Sequence, residues 1–171
     1  MRKILLESLT HRPLTEDAPS PDDAALADLA SEVNQAALRR LGRSLAIRQV
    51  DAGSCNGCEL EIHALNNAFY DLERFGLHFV ASPRHADVLL VTGPISKNMR
   101  EALLRTYQAT PDPKWVVAVG DCAVSGGLFA TSYACERGAE AVVPVAVRIP
   151  GCPPTPTALL RGLLALLAAS D

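Results

Sequence analysis

Asp51-Ala52-Gly53-Ser54-Cys55-Asn56-Gly57-Cys58-Glu59-Leu60-Glu61 is the stretch on which the fold turns. A short apolar-rich run, Leu45 to Val50, precedes it, and a helical pattern starting near Glu59 follows it. The stretch therefore reads as strand, glycine-rich turn, helix. Its thiols stand two residues apart, a spacing that lets one turn of backbone aim both sulfurs at one point. Gly53 and Gly57 let the chain bend tightly there. The start of a helix adds free N–H groups and partial positive charge, which favour thiolates.

Outward from this turn the pattern repeats. Ala86 to Thr92 is a near-continuous apolar run ended by Gly93-Pro94, as expected of a strand buried on both faces. Trp115 to Val119 reads the same way and runs straight into Gly120-Asp121-Cys122. Leu77 to Val80 is a short strand, and Val142 to Ile149 supplies one or two more before Pro150-Gly151-Cys152-Pro153-Pro154. Helices are expected from Pro21 to Leu41 with Gly42 as terminator, from Glu59 to near Gly76, over Asn98–Gln108, and from Thr155 to Ala169. In the first of these, Leu26, Leu29, Ala30, Val33, Ala37, Leu38 and Leu41 share a face. Arg39, Arg40 and Arg43 at its end complement the helix dipole or form a basic edge for another subunit. Residues 1–20, with Pro13 and Pro19, read as an extended arm.

Strands alternating with helices specify an α/β protein: a doubly wound parallel sheet with helices on both faces and an N-terminal helical arm. The arm and first helix occupy residues 1–44, and the sheet domain 45–171.

The chain has 171 residues, 49% hydrophobic, enough for a substantial core. A net charge of −3 argues against nucleic acid as a partner. Five cysteines without a secretory signal point to a reducing, cytoplasmic setting, where clustered thiols bind metal or do redox chemistry. No apolar run approaches the roughly 20 residues of a membrane helix. The leucine-rich helix Leu159–Leu167 is either a core helix or a docking surface.

The topology has a chemical consequence. Cys55 and Cys58, Cys122, and Cys152 each follow the end of an expected strand, and the strands of a parallel sheet end on one edge. Three cysteine-bearing turns therefore meet where such sheets bind ligands. Four thiolates from three loops are the ligand set of a [4Fe–4S] cluster. A zinc site or a thioredoxin-type dithiol also accommodates a Cys-x-x-Cys pair. Cys135 follows no strand and reads as a free or packing thiol, and His63, His78 and His85 are scattered. Glu59 complements the helix N-terminus; Glu59 and Glu61 are also candidate proton carriers.

These motifs, together with Ser82-Pro83-Arg84-His85-Ala86-Asp87 and Gly120-Asp121-Cys122-Ala123-x-Ser125-Gly126-Gly127, resemble the small subunit of [NiFe] hydrogenases, over about residues 45–168. The B subunit of respiratory complex I shares the superfamily. The chain looks most like the short small subunits of membrane-bound, energy-converting hydrogenases such as formate hydrogenlyase. The resemblance implies a flavodoxin-like fold and one [4Fe–4S] cluster on Cys55, Cys58, Cys122 and Cys152. It implies a hydrogenase large subunit with the Ni–Fe centre, a ferredoxin-like iron–sulfur subunit and membrane-embedded subunits as partners. The expected location is the cytoplasmic face of the inner membrane, held through those partners. Asn56 and Gly57 separate cysteines that are adjacent in complex I B subunits, which favours the hydrogenase side over a quinone-reducing subunit. Neither a twin-arginine signal nor a further cluster domain is expected. Asp121 departs from the small residue more usual before that cysteine, and a carboxylate there would lower the cluster potential. Glu61 is the candidate for a proton path or an interface carboxylate.

Overall fold

The computed structural model describes residues 23–169. The expected arm over 1–20 and the helix start at Pro21-Asp22 lie outside those residues. The described chain runs α1 (Asp23–Leu41), β1 (Leu45–Asp51), α2 (Gly57–Ala64), β2 (Leu77–Phe79) and β3 (Val88–Thr92). It continues with α3 (Lys97–Ala109), β4 (Trp115–Val119), α4 (Gly120–Ser125), β5 (Val147–Ile149) and α5 (Pro156–Ala168).

The strands form one parallel sheet in the order β2-β1-β3-β4-β5. This is the flavodoxin-like order, and the expected doubly wound architecture is present. β3 shows why its strands read as unbroken apolar runs. Val88 and Leu90 join one core layer with α1 and α5, while Leu89 and Val91 join the other with α3. Both faces of the sheet are dry, so neither parity of the strand can be polar.

α1 ends where Gly42 adopts φ 68° and its N–H reaches the Leu38 carbonyl at 3.0 Å. Ala30, Val33, Ala36 and Ala37 form its buried stripe. Leu38, expected on that stripe, is 47% exposed; Ala36 takes the place instead, and small residues there let α1 lie close on α5.

The arginines at this end bond within the chain. Arg40 donates to the Leu166 and Ala169 carbonyls at 2.7 and 2.9 Å, and its guanidinium lies 4.6 Å over the Trp115 ring. It thus complements the end of α5 rather than of its own helix. Arg43 forms a two-pronged ion pair with buried Asp87, which also accepts from the Ala46 N–H at 2.9 Å.

One expectation is corrected, and another is narrowed from one or two strands to one. The helix after the cysteine turn was expected to reach Gly76, but α2 stops at Ala64 and only a 3-10 turn, Leu72–Phe75, follows. Asn67 Oδ1 accepts from the Phe69 and Tyr70 N–H groups at 2.9 Å, a local turn that competes with helix. Ile62, Leu65 and Leu72 are buried as the periodicity required, while Leu60 and Phe69 are exposed. Between Val142 and Ile149 only β5 is a strand; Val143 is buried in a turn instead. The tail helix α5 buries Leu159, Leu160, Leu163, Leu166 and Leu167, so it is a core helix. Its Gly162 lies so close to Ile149 that a Cβ there would collide with that side chain.

Candidate metal centre

Each cysteine-bearing turn has a local reason for its shape. At the end of β1, Asp51 Oδ1 accepts from the Gly53 and Ser54 N–H groups at 2.8 and 2.9 Å. This closes the turn and feeds Asn56, at φ 72°, into α2. At the end of β3, Gly93 at φ 83° packs against this turn; a Cβ there would lie 2.9 Å from the Ser54 nitrogen. At the end of β4, Gly120 at φ 85° opens α4 and places Cys122 in its first turn. After β5, Gly151 at φ 133° turns the chain into Cys152.

The turns of β4 and β5 are stitched together. The Asp121 N–H donates to the Gly151 carbonyl at 2.9 Å, and Asp121 Oδ1 accepts from the Gly151 N–H at 2.8 Å. The carboxylate thereby holds the Cys152 loop against the Cys122 loop. An Asp121→Asn chain keeps an oxygen for this bond and should retain the loop. Asp121→Ala removes it and should cost about 1–3 kcal/mol, with the N–H left wanting an acceptor. Thermal unfolding of the two variants side by side checks the difference.

Cys55, Cys58, Cys122 and Cys152 line one cavity of about 80 Å³, together with Ser54, Gly57, Gly93, Pro94, Asp121, Phe129, Gly151 and Pro153. Its walls come from the C-terminal ends of β1, β3, β4 and β5, so the three expected turns do meet. Glycine backbones leave room for the sulfurs. A Cβ on Gly120 would lie 2.5 Å from Cys58 Sγ, and one on Gly127 would lie 3.0 Å from Cys122 Sγ.

Burial pushes the Cys58 thiol up to about 12, helped by the Glu59 carboxylate and then by Cys122, Cys55 and Cys152. Cys122 is raised too, first by burial, then by Cys152, Cys55, Asp121 and Cys135. Empty of metal, these thiols keep their protons at neutral pH. A metal must displace those protons, so uptake releases acid and weakens as pH falls.

Among the described residues, no three His, Cys, Asp or Glu side chains close on a point that could hold a single metal ion. The sulfurs surround a cavity instead. A single tetrahedral zinc needs every sulfur at about 2.3 Å, whereas a cluster gives each thiolate its own iron. The donors, all sulfur, are of the type that holds an iron–sulfur cluster, and zinc takes the same donors.

A family model described as NADH ubiquinone oxidoreductase, 20 Kd subunit, matches residues 55–166, from the first of these cysteines to past the last. The chain belongs to this family.

Formate hydrogenlyase subunit 7 of Escherichia coli (strain K12) is 50% identical over 125 residues, covering 73% of this chain and 49% of that protein. The chain thus spans about half the length of that relative. The probable membrane-bound hydrogenase subunit mbhJ of Pyrococcus furiosus is 46% identical over 127 residues, covering 74% of this chain and 76% of its own length. Among solved structures, a chain of the membrane-bound sulfane sulfur reductase, an archaeal respiratory membrane complex, matches with a TM-score of 0.65 and 36% identity. That match covers 80% of this chain and 73% of the other. Membership of the family places the chain among subunits of oxidoreductase complexes. No helix of the described residues is long and apolar enough to cross a membrane.

The remaining candidates do not line the cavity. Glu61 is half-buried on α2 and does not line it. Cys135 is half-buried, bridges to Ser96 and does not line it either. His63 and His85 are exposed. Glu59 was legible as a first-turn acid, but not as a buried one: it is 3% exposed, and neither carboxylate oxygen has a hydrogen-bond partner. Phe129, a wall of the cavity that is 45% exposed, carried no signal in the sequence.

Proposed function

We propose that this chain is the electron-transfer subunit of a membrane-associated hydrogenase of the formate hydrogenlyase type. It carries one [4Fe–4S] cluster on Cys55, Cys58, Cys122 and Cys152. It relays electrons between the Ni–Fe centre of a partner large subunit and a ferredoxin-like subunit. The observation that supports this reading is the meeting of those four cysteines, from three separate turns, around one cavity.

When bound, such a cluster takes up and releases single electrons. The chain's own residues do the rest. The parallel sheet holds the three turns rigid, Asp121 fastens two of them together, and Gly120 and Gly127 leave space beside the sulfurs. Pro153 and Pro94 line the walls without offering an N–H, which restricts hydrogen bonding to the sulfurs there. Attachment to the cytoplasmic face of the inner membrane, through partner subunits, belongs to the proposal; it is supported by one relative's being named a membrane-bound hydrogenase subunit.

The test is anaerobic purification of the assembled complex with analysis of metals and partners. Iron and sulfide in equal amounts on this chain, with nickel in a co-purifying large subunit, are expected. Zinc without iron or sulfide would sink the reading. The likeness to a chain of a sulfane sulfur reductase supports a second reading, in which the neighbouring centre is not Ni–Fe. A quinone-reducing partner of the complex I kind belongs to the same reading. The sequence of the large subunit decides: two Cys-x-x-Cys motifs mean Ni–Fe, and their absence means another reaction. Glu61 belongs to the proposal as a carboxylate on a proton path or at a subunit interface. Glu61→Gln should slow hydrogen turnover of the assembled complex; unchanged turnover removes that role.

A further inference from the structure

The outer edge of β1 is only half covered. β2 pairs with it from Leu45 to Ile47, and the Val80 N–H donates to the Ile47 carbonyl at 2.8 Å. β1 continues to Asp51. Alternate residues of a strand aim their backbone groups to opposite sides, so Gln49 and Asp51 aim theirs the way Ile47 does, away from β3. Among the described residues, neither makes a backbone hydrogen bond on that side.

Beside this bare edge lies a notch of about 260 Å³, lined by Arg48, Gln49, Ile62, His63, Phe79 and Val80 among others. Arg48 Nε is buried and has no hydrogen-bond acceptor. No carboxylate lies within ion-pair distance of Arg48 among the described residues. Asp51, at the far end of the edge, has Oδ1 committed to its own turn, and Glu59 does not line the notch.

We propose that this edge receives an extended, acidic segment of a partner polypeptide. The segment's backbone pairs with Gln49 and Asp51, and one of its carboxylates lies on Arg48. A bare strand edge is a template for another strand. Arg48, half-buried and without a carboxylate partner among the described residues, supplies the charge preference, since a carboxylate is a stronger acceptor for a guanidinium than any neutral group. The notch is smaller than the roughly 300–1,000 Å³ of a pocket for a drug-sized ligand, and suits one or two side chains. The proposal needs a partner chain but not the cluster, so it stands apart from the relay reading.

The full-length chain, purified anaerobically, is titrated with a blocked peptide of alternating Glu and Val, and with its Gln-Val counterpart. Hydrogen exchange at the Gln49 amide is followed together with affinity. The Glu peptide should slow that exchange, and both Arg48→Gln and the Gln peptide should weaken binding roughly tenfold or more. Equal affinity for the two peptides, unchanged exchange at Gln49, or acetate alone reproducing the protection would overturn the proposal. Iron content of Arg48→Gln is measured in parallel and should match the unaltered chain. Normal iron with indifferent peptide binding defeats this inference while leaving the relay untouched.

Discussion

A Cys58→Ser chain should leave anaerobic purification with almost none of the iron and sulfide carried by the unaltered chain. Cys58 is the most buried of the four proposed donors: burial first, then the Glu59 carboxylate, raises its thiol to about 12, and the Gly120 backbone passes directly beside its sulfur. A bound metal would hold such a group as a thiolate at neutral pH, and a serine oxygen is the harder donor. Loss of an outer partner alone costs about 10–100-fold in metal affinity, so loss of a donor should take iron below about a tenth of the normal content. Cys55, Cys122 and Cys152 should behave alike when changed to serine. Cys135→Ser should keep its iron, because that thiol does not line the cavity. Iron and sulfide analysis with low-temperature EPR reads the series. A chain that loses iron through Cys135→Ser but keeps it through Cys55→Ser would refute the assigned donor set.

The second large effect is on stability and lies at the opposite end of the sheet. Asp87→Ala should lower unfolding free energy by about 3 kcal/mol, the upper end of the cost of leaving a buried donor without its acceptor, here with charge-assisted bonds lost as well. Asp87 is 3% exposed and serves three donors: two nitrogens of Arg43 and the Ala46 N–H. Its own N–H and carbonyl bond to Ala46 and Trp115, so this residue ties the starts of β1, β3 and β4 together. Removing its carboxylate strands the buried Ala46 N–H. Arg43→Ala should cost less, about 1 kcal/mol, because the guanidinium is 58% exposed and water can replace it over the carboxylate. Urea midpoints at constant slope measure both. Equal losses would mean that the pair, and not the carboxylate's wider set of bonds, holds this end of the sheet.

Legibility varied with the range of the interactions concerned. The strands β3 and β4 could be read because burial on both faces leaves only apolar residues acceptable. The cysteine turns could be read because Gly53, Gly120 and Gly151 occupy backbone positions that favour glycine, directly after those strands. The end of α2 was misread because Leu65, Leu72 and their spacing suit a helix, while the Asn67 side chain closes a turn that periodicity does not register. Arg40 was read as complementing its own helix or facing another subunit, because sequence shows only its neighbours along the chain; it donates to carbonyls at the end of α5 and lies over Trp115 of β4.

By itself, then, the order of residues determined the elements, their alternation and the candidacy of Cys55, Cys58, Cys122 and Cys152, all of which rest on local burial pattern and turn chemistry. Tertiary structure alone decided which strands are neighbours and gave the cavity its walls; that the turns after β1, β4 and β5 lie on one edge already followed from a parallel sheet. It alone revealed the stitch from Asp121 to Gly151, the burial of Glu59 and the bare edge at Gln49. Strand pairing joins segments far apart in the chain, and no local periodicity carries the identity of a distant partner.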